Sequence, residues 1–354
     1  MPASPRIRYA VAGLGRIALN AVLPAFANAR RNSELTAILS SSASKRKAIA
    51  AKYNVKAYSY EDYDDCLKDV DAVYIALPNS MHAEFTERSA RAGVHVLCEK
   101  PMAMTVRECE RMIAACRTAG VKLMVAYRLQ FEPLNLEVLQ LVRRGKIGEP
   151  KYFTSAFSLS VKAGDIRTIP AMGGGTLPDI GVYCINAART LFGAEPTEVL
   201  AMSVNSGARK VAAIDETTGG LLRFPGGRLA SFVTSFNATA RATFEVVGTK
   251  GAVRLDPSYE YALALAGERI EGQTRTPLRS KQHDQFAPEL RHFSDCILND
   301  RAPRASGEDG LQDVRIIEAL TRSAKTGRPV SLRPLAKRQR RRAAGRPGRS
   351  VKRR

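Results

Sequence analysis

Over the first third of the chain, short unbroken apolar runs alternate with amphipathic stretches. Arg8-Tyr9-Ala10-Val11-Ala12 is β-prone and ends at Gly13-Leu14-Gly15-Arg16-Ile17-Ala18, after which Leu19, Val22, Leu23 and Phe26 recur at helical spacing. Leu35 to Leu39, Ala72 to Leu77, Val94 to Cys98 and Lys122 to Ala126 read as further strands, nearly all apolar, as strands covered on both faces tend to be. Helices fit between them: Ser44 to Tyr53, a segment capped by Asn79 and ending near Gly93, and a segment from the capping box Thr105-x-x-Glu108 to Gly120. Strand and helix in alternation predict a doubly wound, mainly parallel sheet over residues 1–128.

After Gly148-Glu149-Pro150 the pattern changes. Lys151–Val161, Thr197–Val204, Glu216–Phe224, Arg228–Asn237, Thr243–Gly248, Ala252–Asp256 and Tyr261–Ala266 read as strands following strands, with Pro225-Gly226-Gly227 and Gly248-Thr249-Lys250-Gly251 as turns. The fold class expected is therefore α/β plus α+β. An N-terminal Rossmann domain is followed by an open, mainly antiparallel sheet domain over 129–335, with a helix at 309–327 free to return to the first domain. The two faces of Arg228–Asn237 differ only mildly in polarity, so the sheet's outer side suits a second copy of the chain, a homo-oligomer through the open sheet.

One helix interrupts the strands, Leu177 to Leu191, entered through Gly173-Gly174-Gly175-Thr176. Asp179, Tyr183 and Asn186 share one of its faces, beside an apolar stripe of Ile180, Cys184, Ala187 and Leu191. Such a stripe makes either a pocket wall or a solvent-facing side.

Composition adds limits. With 354 residues, 45% hydrophobic and 25% charged, the chain suits two globular domains rather than disorder. No apolar run approaches the ~20 residues of a membrane span, and the start carries no cleavable leader, so the cytoplasm is the expected location. Cys66, Cys98, Cys109, Cys116, Cys184 and Cys296 form no CxxC pair, which points away from a metal site or a disulfide framework. The formal charge of +21 suggests a nucleic-acid binder, yet 337–354 hold ten Lys or Arg and no acid, leaving +11 on the rest. A disordered basic tail at 336–354 accounts for half the signal; contact with nucleic acid is expected only through it.

Gly13-x-Gly15-x-x-Ala18 follows the first strand and opens a helix, where the glycines allow a tight bend and close approach of backbone to a pyrophosphate. A bare turn is the alternative. NAD-binding folds place an acid after the second strand to hold the ribose hydroxyls. Here the stretch is Ser40-Ser41-Ser42-Ala43-Ser44-Lys45-Arg46, with hydroxyls, two cations and no carboxylate, which favours NADP over NAD. Alternatively the serines only cap the next helix.

Gly13-Leu14-Gly15-Arg16, then Leu77-Pro78-Asn79-Ser80-x-His82-Ala83-Glu84-Phe85, Cys98-Glu99-Lys100-Pro101-Met102-Ala103, and Asp179-Ile180-Gly181-x-Tyr183-x-x-Asn186 together resemble the Gfo/Idh/MocA family of sugar and polyol oxidoreductases. Tyrosine at 183, where most members have histidine, with asparagine three residues on, is similar to its glucose-fructose oxidoreductase branch. The resemblance implies catalytic roles for Lys100, Asp179 and Tyr183. It also implies a cofactor site of Gly13, Gly15, Arg16, Ile17, Ser40, Lys45, Pro78, Asn79, His82, Glu99 and Lys100, and a substrate site of Lys100, Arg128, Asp179 and Tyr183. No metal is implied.

Oxidising an anomeric hydroxyl to a lactone needs a base, and a phenol with a free pKa of about 10 needs a neighbouring cation to serve. Lys100 is that expected cation, with Asp179 orienting it or holding sugar hydroxyls. His82 would line the nicotinamide pocket or cap its helix; Arg128 would bind a sugar hydroxyl or pair with an acid. The expected function is an NADP-dependent oxidoreductase moving hydride between nicotinamide and a sugar, Tyr183 acting as acid and base. Two alternatives stand beside it: a non-catalytic dinucleotide-binding sensor with a nucleic-acid-contacting tail, and a dehydrogenase of another polyol such as an inositol or a trans-dihydrodiol.

Overall fold

A computed structural model describes residues 5–333. The basic tail expected at 336–354 lies outside the described residues.

The first sheet is parallel, with strands β1 (Ile7–Ala12), β2 (Ser33–Leu39), β3 (Lys56–Tyr58), β4 (Ala72–Ile75), β5 (His95–Cys98) and β6 (Leu123–Val125) in the order β3-β2-β1-β4-β5-β6. β1 pairs with both β2 and β4, so the strand order reverses there and a crevice opens at their carboxyl ends. Helices flank the sheet: the helical run 18–28 (α1), α2 (Ala43–Tyr53), α3 (Tyr63–Leu67), α4 (His82–Arg91) and α5 (Val106–Ala119). The capping box at Thr105 and Glu108 forms, and Gly120 ends α5 at φ 69°. Asn79 is no cap: Pro78 holds the N-terminal position of the turn Asn79–Met81, and the Asn79 side chain donates to the carbonyl of Gly173, 2.8 Å away. The pattern did not indicate β3 or α3, which are too short to show a period.

After α6 (Pro133–Arg143) the chain builds a nine-stranded sheet from β7 (Pro150–Ser160), β8 (Glu198–Val204), β9 (Thr217–Phe224), β10 (Arg228–Ser235), β11 (Asn237–Gly248), β12 (Ala252–Leu255), β13 (Ala266–Glu271), β14 (Thr274–Arg279) and β15 (Val330–Ser331). α7 (Val182–Phe192), α8 (Phe286–Leu298) and α9 (Gly307–Thr326) complete the chain. The sheet is mixed, because β7 lies between β11 and β10 and runs parallel to the latter. The chain turns about the end of β7 at Phe236, whose carbonyl accepts from Val161. The strand expected at Tyr261–Ala266 is absent; β13 begins where it was to end, because Tyr259 and Tyr261 are drawn out of the sheet toward Arg128.

α7 and α9 pack on the inner face of this sheet. α9 also returns to the first domain, lying against β6 and α5. The approach is close enough that a Cβ on Gly310 would meet Val125 Cγ2 at 2.7 Å and one on Gly307 would meet Leu123 Cδ2 at 2.9 Å, so a side chain at either would force its neighbours to move. Among the described residues nothing covers the outer face: Leu200, Met202, Val204, Leu221, Leu229 and Val233 are exposed on it.

Candidate active site

The turn after β1 lies at the strand-order reversal. Gly13 has φ 100°, and a Cβ there would collide with the carbonyl oxygen of Ala76 at the end of β4, so only glycine fits. Gly15 faces open space: a Cβ there meets nothing within 4 Å. A helical turn begins at Arg16, and the Gly15 carbonyl accepts from Leu19, so a groove lined by glycine backbone leads to a helix N-terminus. Ile17 lies half-buried in that turn. This is the shape and polarity a dinucleotide pyrophosphate needs. Across the groove, Lys45 Nζ donates to the carbonyl of Leu14 (3.4 Å), and Arg46 donates to the carbonyls of Ser40 (2.5 Å) and Ser41 (3.1 Å). Ser42 caps α2, accepting from the Lys45 backbone, yet Lys45 remains exposed and Arg46 half-buried beside the turn. With no acid on the loop, the surface suits a dianionic 2′-phosphate.

At the carboxyl end of β5, Lys100 Nζ donates to the backbone carbonyl of Asp179 (2.7 Å) and to its Oδ1 (3.3 Å), and stands 4.8 Å from the centre of the Tyr183 ring. Burial opposes the ammonium charge, but Tyr183, Asp179 and Glu99 outweigh it and hold Lys100 above its ordinary value. Burial likewise opposes the Asp179 carboxylate, and Lys100 together with Arg167, whose Nε is 3.1 Å from Oδ2, brings it below the usual range. Asp179 and Tyr183 are thus engaged by neighbouring cations and only partly exposed, rather than turned to solvent. Their partner in the stripe, Asn186, is buried and donates to Asp313 (2.9 Å), so it belongs to the core network of Tyr127, Arg189 and Asp313.

Other expected residues have different surroundings. His82 is fully buried, its Nδ1 3.0 Å from the carbonyl of Pro101 and its Nε2 3.0 Å from that of Leu77. It neither caps a helix nor presents a free nitrogen; it joins the loops after β4 and β5. Burial keeps it below the ordinary histidine range despite those two carbonyls. Glu99 accepts from Tyr74 (2.8 Å) and from the Lys100 backbone (3.3 Å), with burial raising its carboxyl. Arg128, 5% exposed, pairs with no acid among the described residues. Its guanidinium donates to Gln285 Oε1 (2.5 Å), the Tyr259 carbonyl (2.5 Å) and the Tyr183 hydroxyl (3.3 Å).

A strap of residues 161–175 crosses the crevice. Asp165 meets the exposed Arg16 at 2.6 Å, Arg167 meets Asp179, and Gly173 meets Asn79. Sequence reasoning missed Asp165 and Arg167 because a lone acid and a lone arginine in a loop carry no spacing signal. Gln285 and Tyr259 were missed for the same reason. No group of three or more His, Cys, Asp or Glu side chains among the described residues is placed to hold a metal ion.

A dinucleotide groove meeting a buried lysine, carboxylate and phenol defines a two-domain oxidoreductase, and the comparisons agree. Residues 7–127 match the model of the Gfo/Idh/MocA oxidoreductase family, NAD-binding Rossmann fold, and residues 140–332 match its C-terminal alpha/beta domain. The chain belongs to that family. It is 32% identical to a D-xylose 1-dehydrogenase [NADP(+)] of Haloarcula marismortui over 92% of this chain and 93% of the relative. It is 33% identical to a dTDP-3,4-didehydro-2,6-dideoxy-alpha-D-glucose 3-reductase of Actinomadura kijaniata over 90% and 96%. Among solved structures it is similar to the aldose-aldose oxidoreductase of Caulobacter crescentus complexed with glycerol, with TM-score 0.89 and 39% identity over 92% of this chain and all of that one.

Proposed function

We propose that this chain is an NADP-dependent sugar oxidoreductase that takes hydride from the anomeric carbon of an aldose, giving a lactone, and in reverse reduces a sugar carbonyl. The observation that carries this reading is the Lys100 ammonium 4.8 Å from the Tyr183 ring at the carboxyl edge of the parallel sheet. The NADP-dependent xylose dehydrogenase relative supports the cofactor, as do Lys45 and Arg46 beside a turn without a carboxylate. When bound, NADP supplies the hydride acceptor.

The chain's own residues do the rest. Tyr183 receives the hydroxyl proton at its phenolic oxygen as the hydride departs, and returns it in the reverse direction. Lys100 donates to the substrate oxygen, with two of its three N–H groups held by the Asp179 carbonyl and Oδ1 so that the third is aimed. Asp179 orients Lys100 and is itself held by Arg167. Gly13, Gly15, Arg16, Ile17, Ser40, Lys45, Pro78 and Asn79 line the cofactor groove, while His82 and Glu99 set the loops from behind. The substrate domain begins at 129, its outer sheet face pairs two copies of the chain, and the protein works in the cytoplasm, where its six unpaired thiols stay reduced. The test is nicotinamide absorbance of the purified protein with NADP and a panel of aldoses, then with ketoses and aldehydes. Absorbance that rises with an aldose and falls with a carbonyl sugar is expected; a signal that no sugar changes overturns the reading.

A further inference from the structure

The hydrogen bonds around the Tyr183 oxygen separate two cations that the sequence leaves in competing roles. Lys100 spends its closest contact on the Asp179 carbonyl and stands over the face of the Tyr183 ring. The hydrogen bond to the phenolic oxygen comes instead from Arg128, at 3.3 Å. A guanidinium carries donors only and does not give up its proton in a protein. Wherever it meets a phenol, the oxygen must accept, and the phenol's own hydrogen is directed to another partner.

Arg128 is built to stay there. One terminal nitrogen is fixed by Gln285 Oε1, the other by the carbonyl of Tyr259, and Gln285 is itself held by donation to the carbonyl of Glu260 (2.9 Å). The guanidinium carbon lies 5.1 Å from the Tyr183 ring centre and 5.4 Å from that of Tyr261. Arg128, in the loop after β6, draws these contacts from α7, the loop after β12 and the residue that precedes α8, three segments remote in the chain. A charged group so deeply buried and tied only to neutral acceptors is expensive to keep, and its one contact with the reactive constellation is the phenol.

We infer that Arg128 is the positioning residue for Tyr183. It takes one lone pair of the phenolic oxygen, leaves the O–H free to point at the substrate, and stabilises the negative oxygen while the proton is away. Gln285 serves by fixing Arg128. In the oxidation, Tyr183 enters as the phenolate: the substrate O–H bond breaks as its proton bonds to that oxygen, the C–H bond breaks as the hydride leaves for nicotinamide, and the C=O bond forms. In the reduction the phenol O–H returns the proton, and Arg128 changes no bond in either direction. The inference rests on Tyr183 being the proton carrier proposed above.

The test compares Arg128→Met, Arg128→Lys, Gln285→Leu and Tyr183→Phe in the full chain with NADP and its aldose. We expect kcat to fall about tenfold to a hundredfold in Arg128→Met, less in Gln285→Leu, with KM and the NADP Kd changed by less than about threefold. Millimolar guanidinium should restore part of the lost kcat in Arg128→Met and none in Arg128→Met/Tyr183→Phe. If Arg128→Met does not fold, a kcat loss at unchanged KM is still expected in Arg128→Lys and, smaller, in Gln285→Leu. Tyr183→Phe inactive with the Arg128 and Gln285 variants at wild-type kcat overturns the positioning role alone. Tyr183→Phe at full activity overturns the reading of Tyr183 and this inference with it.

Discussion

Glu289 on α8 is fully buried, and neither of its carboxylate oxygens has a hydrogen-bond partner among the described residues. Burial and the nearby Glu99 push its carboxyl well above the usual range, with Arg128 opposing. The folded protein therefore holds a proton that the unfolded chain releases near ~4.3. Its contribution to stability is present below that value and is lost as pH rises toward the folded value, at about 1.4 kcal/mol per pH unit. Urea titrations of Glu289→Gln are expected to lack this slope, so the variant gains on the wild type as pH rises; parallel curves would refute the assignment. For the reactive groups, Lys100→Met is expected to cost about 10²–10⁴ in kcat/KM, measured by steady-state kinetics, while the dinucleotide affinity falls far less.

At the scale of elements, the two glycines of the first turn have separate duties. Gly13 is fixed by backbone strain and by collision with Ala76, so Gly13→Ala is expected to lose about 1–3 kcal/mol of stability. Gly15 has empty space beside it, and Gly15→Ala should melt with the wild type in a thermal scan. Its cost should appear in the NADP Kd, weakened about tenfold or more because the methyl group occupies the pyrophosphate groove. Equal losses of melting temperature in both variants would show that Gly15 is structural. The strap of 161–175 is the other element whose behaviour follows from its contacts. Removing the Arg16 partner by Asp165→Ala frees one end of it, and faster release of NADP in stopped-flow displacement is expected.

For the whole molecule, the uncovered sheet face carries exposed Leu200, Met202 and Leu221 side by side, with Leu200 opposite Leu221 in the ladder. An apolar face of this extent on a single copy is a candidate for self-association. Met202→Asp, at a site 74% exposed and touching no catalytic group, should leave the fold intact and shift the sedimentation coefficient toward that of a single chain. An unchanged value would remove the open sheet as the interface.

How much of this was legible in the sequence depended on how local the cause was. The strands β1, β2, β4, β5 and β6 and helix α5 follow from contiguous apolar runs, glycine turns and a capping box, each decided within a few residues of itself. The placement of Gly13, Gly15, Lys100, Asp179 and Tyr183 followed from their motifs. The pairing of β7 with β10 in parallel did not, because strand order is set by loop closure over tens of residues and leaves no mark in either strand. Asn79 reads as a cap until Gly173, 94 residues away, takes its amide. For His82 the sequence leaves pocket lining and helix cap open, and for Arg128 a sugar hydroxyl or an acid. The contacts they make, two backbone carbonyls for His82 and Gln285, Tyr183 and the Tyr259 carbonyl for Arg128, come from segments that chain spacing does not bring together. Sequence thus determined which chemical groups this protein owns and which strand ends carry them. Only the packing of distant segments decided which nitrogen meets the phenol, because a hydrogen bond depends on distances in space that chain spacing does not encode.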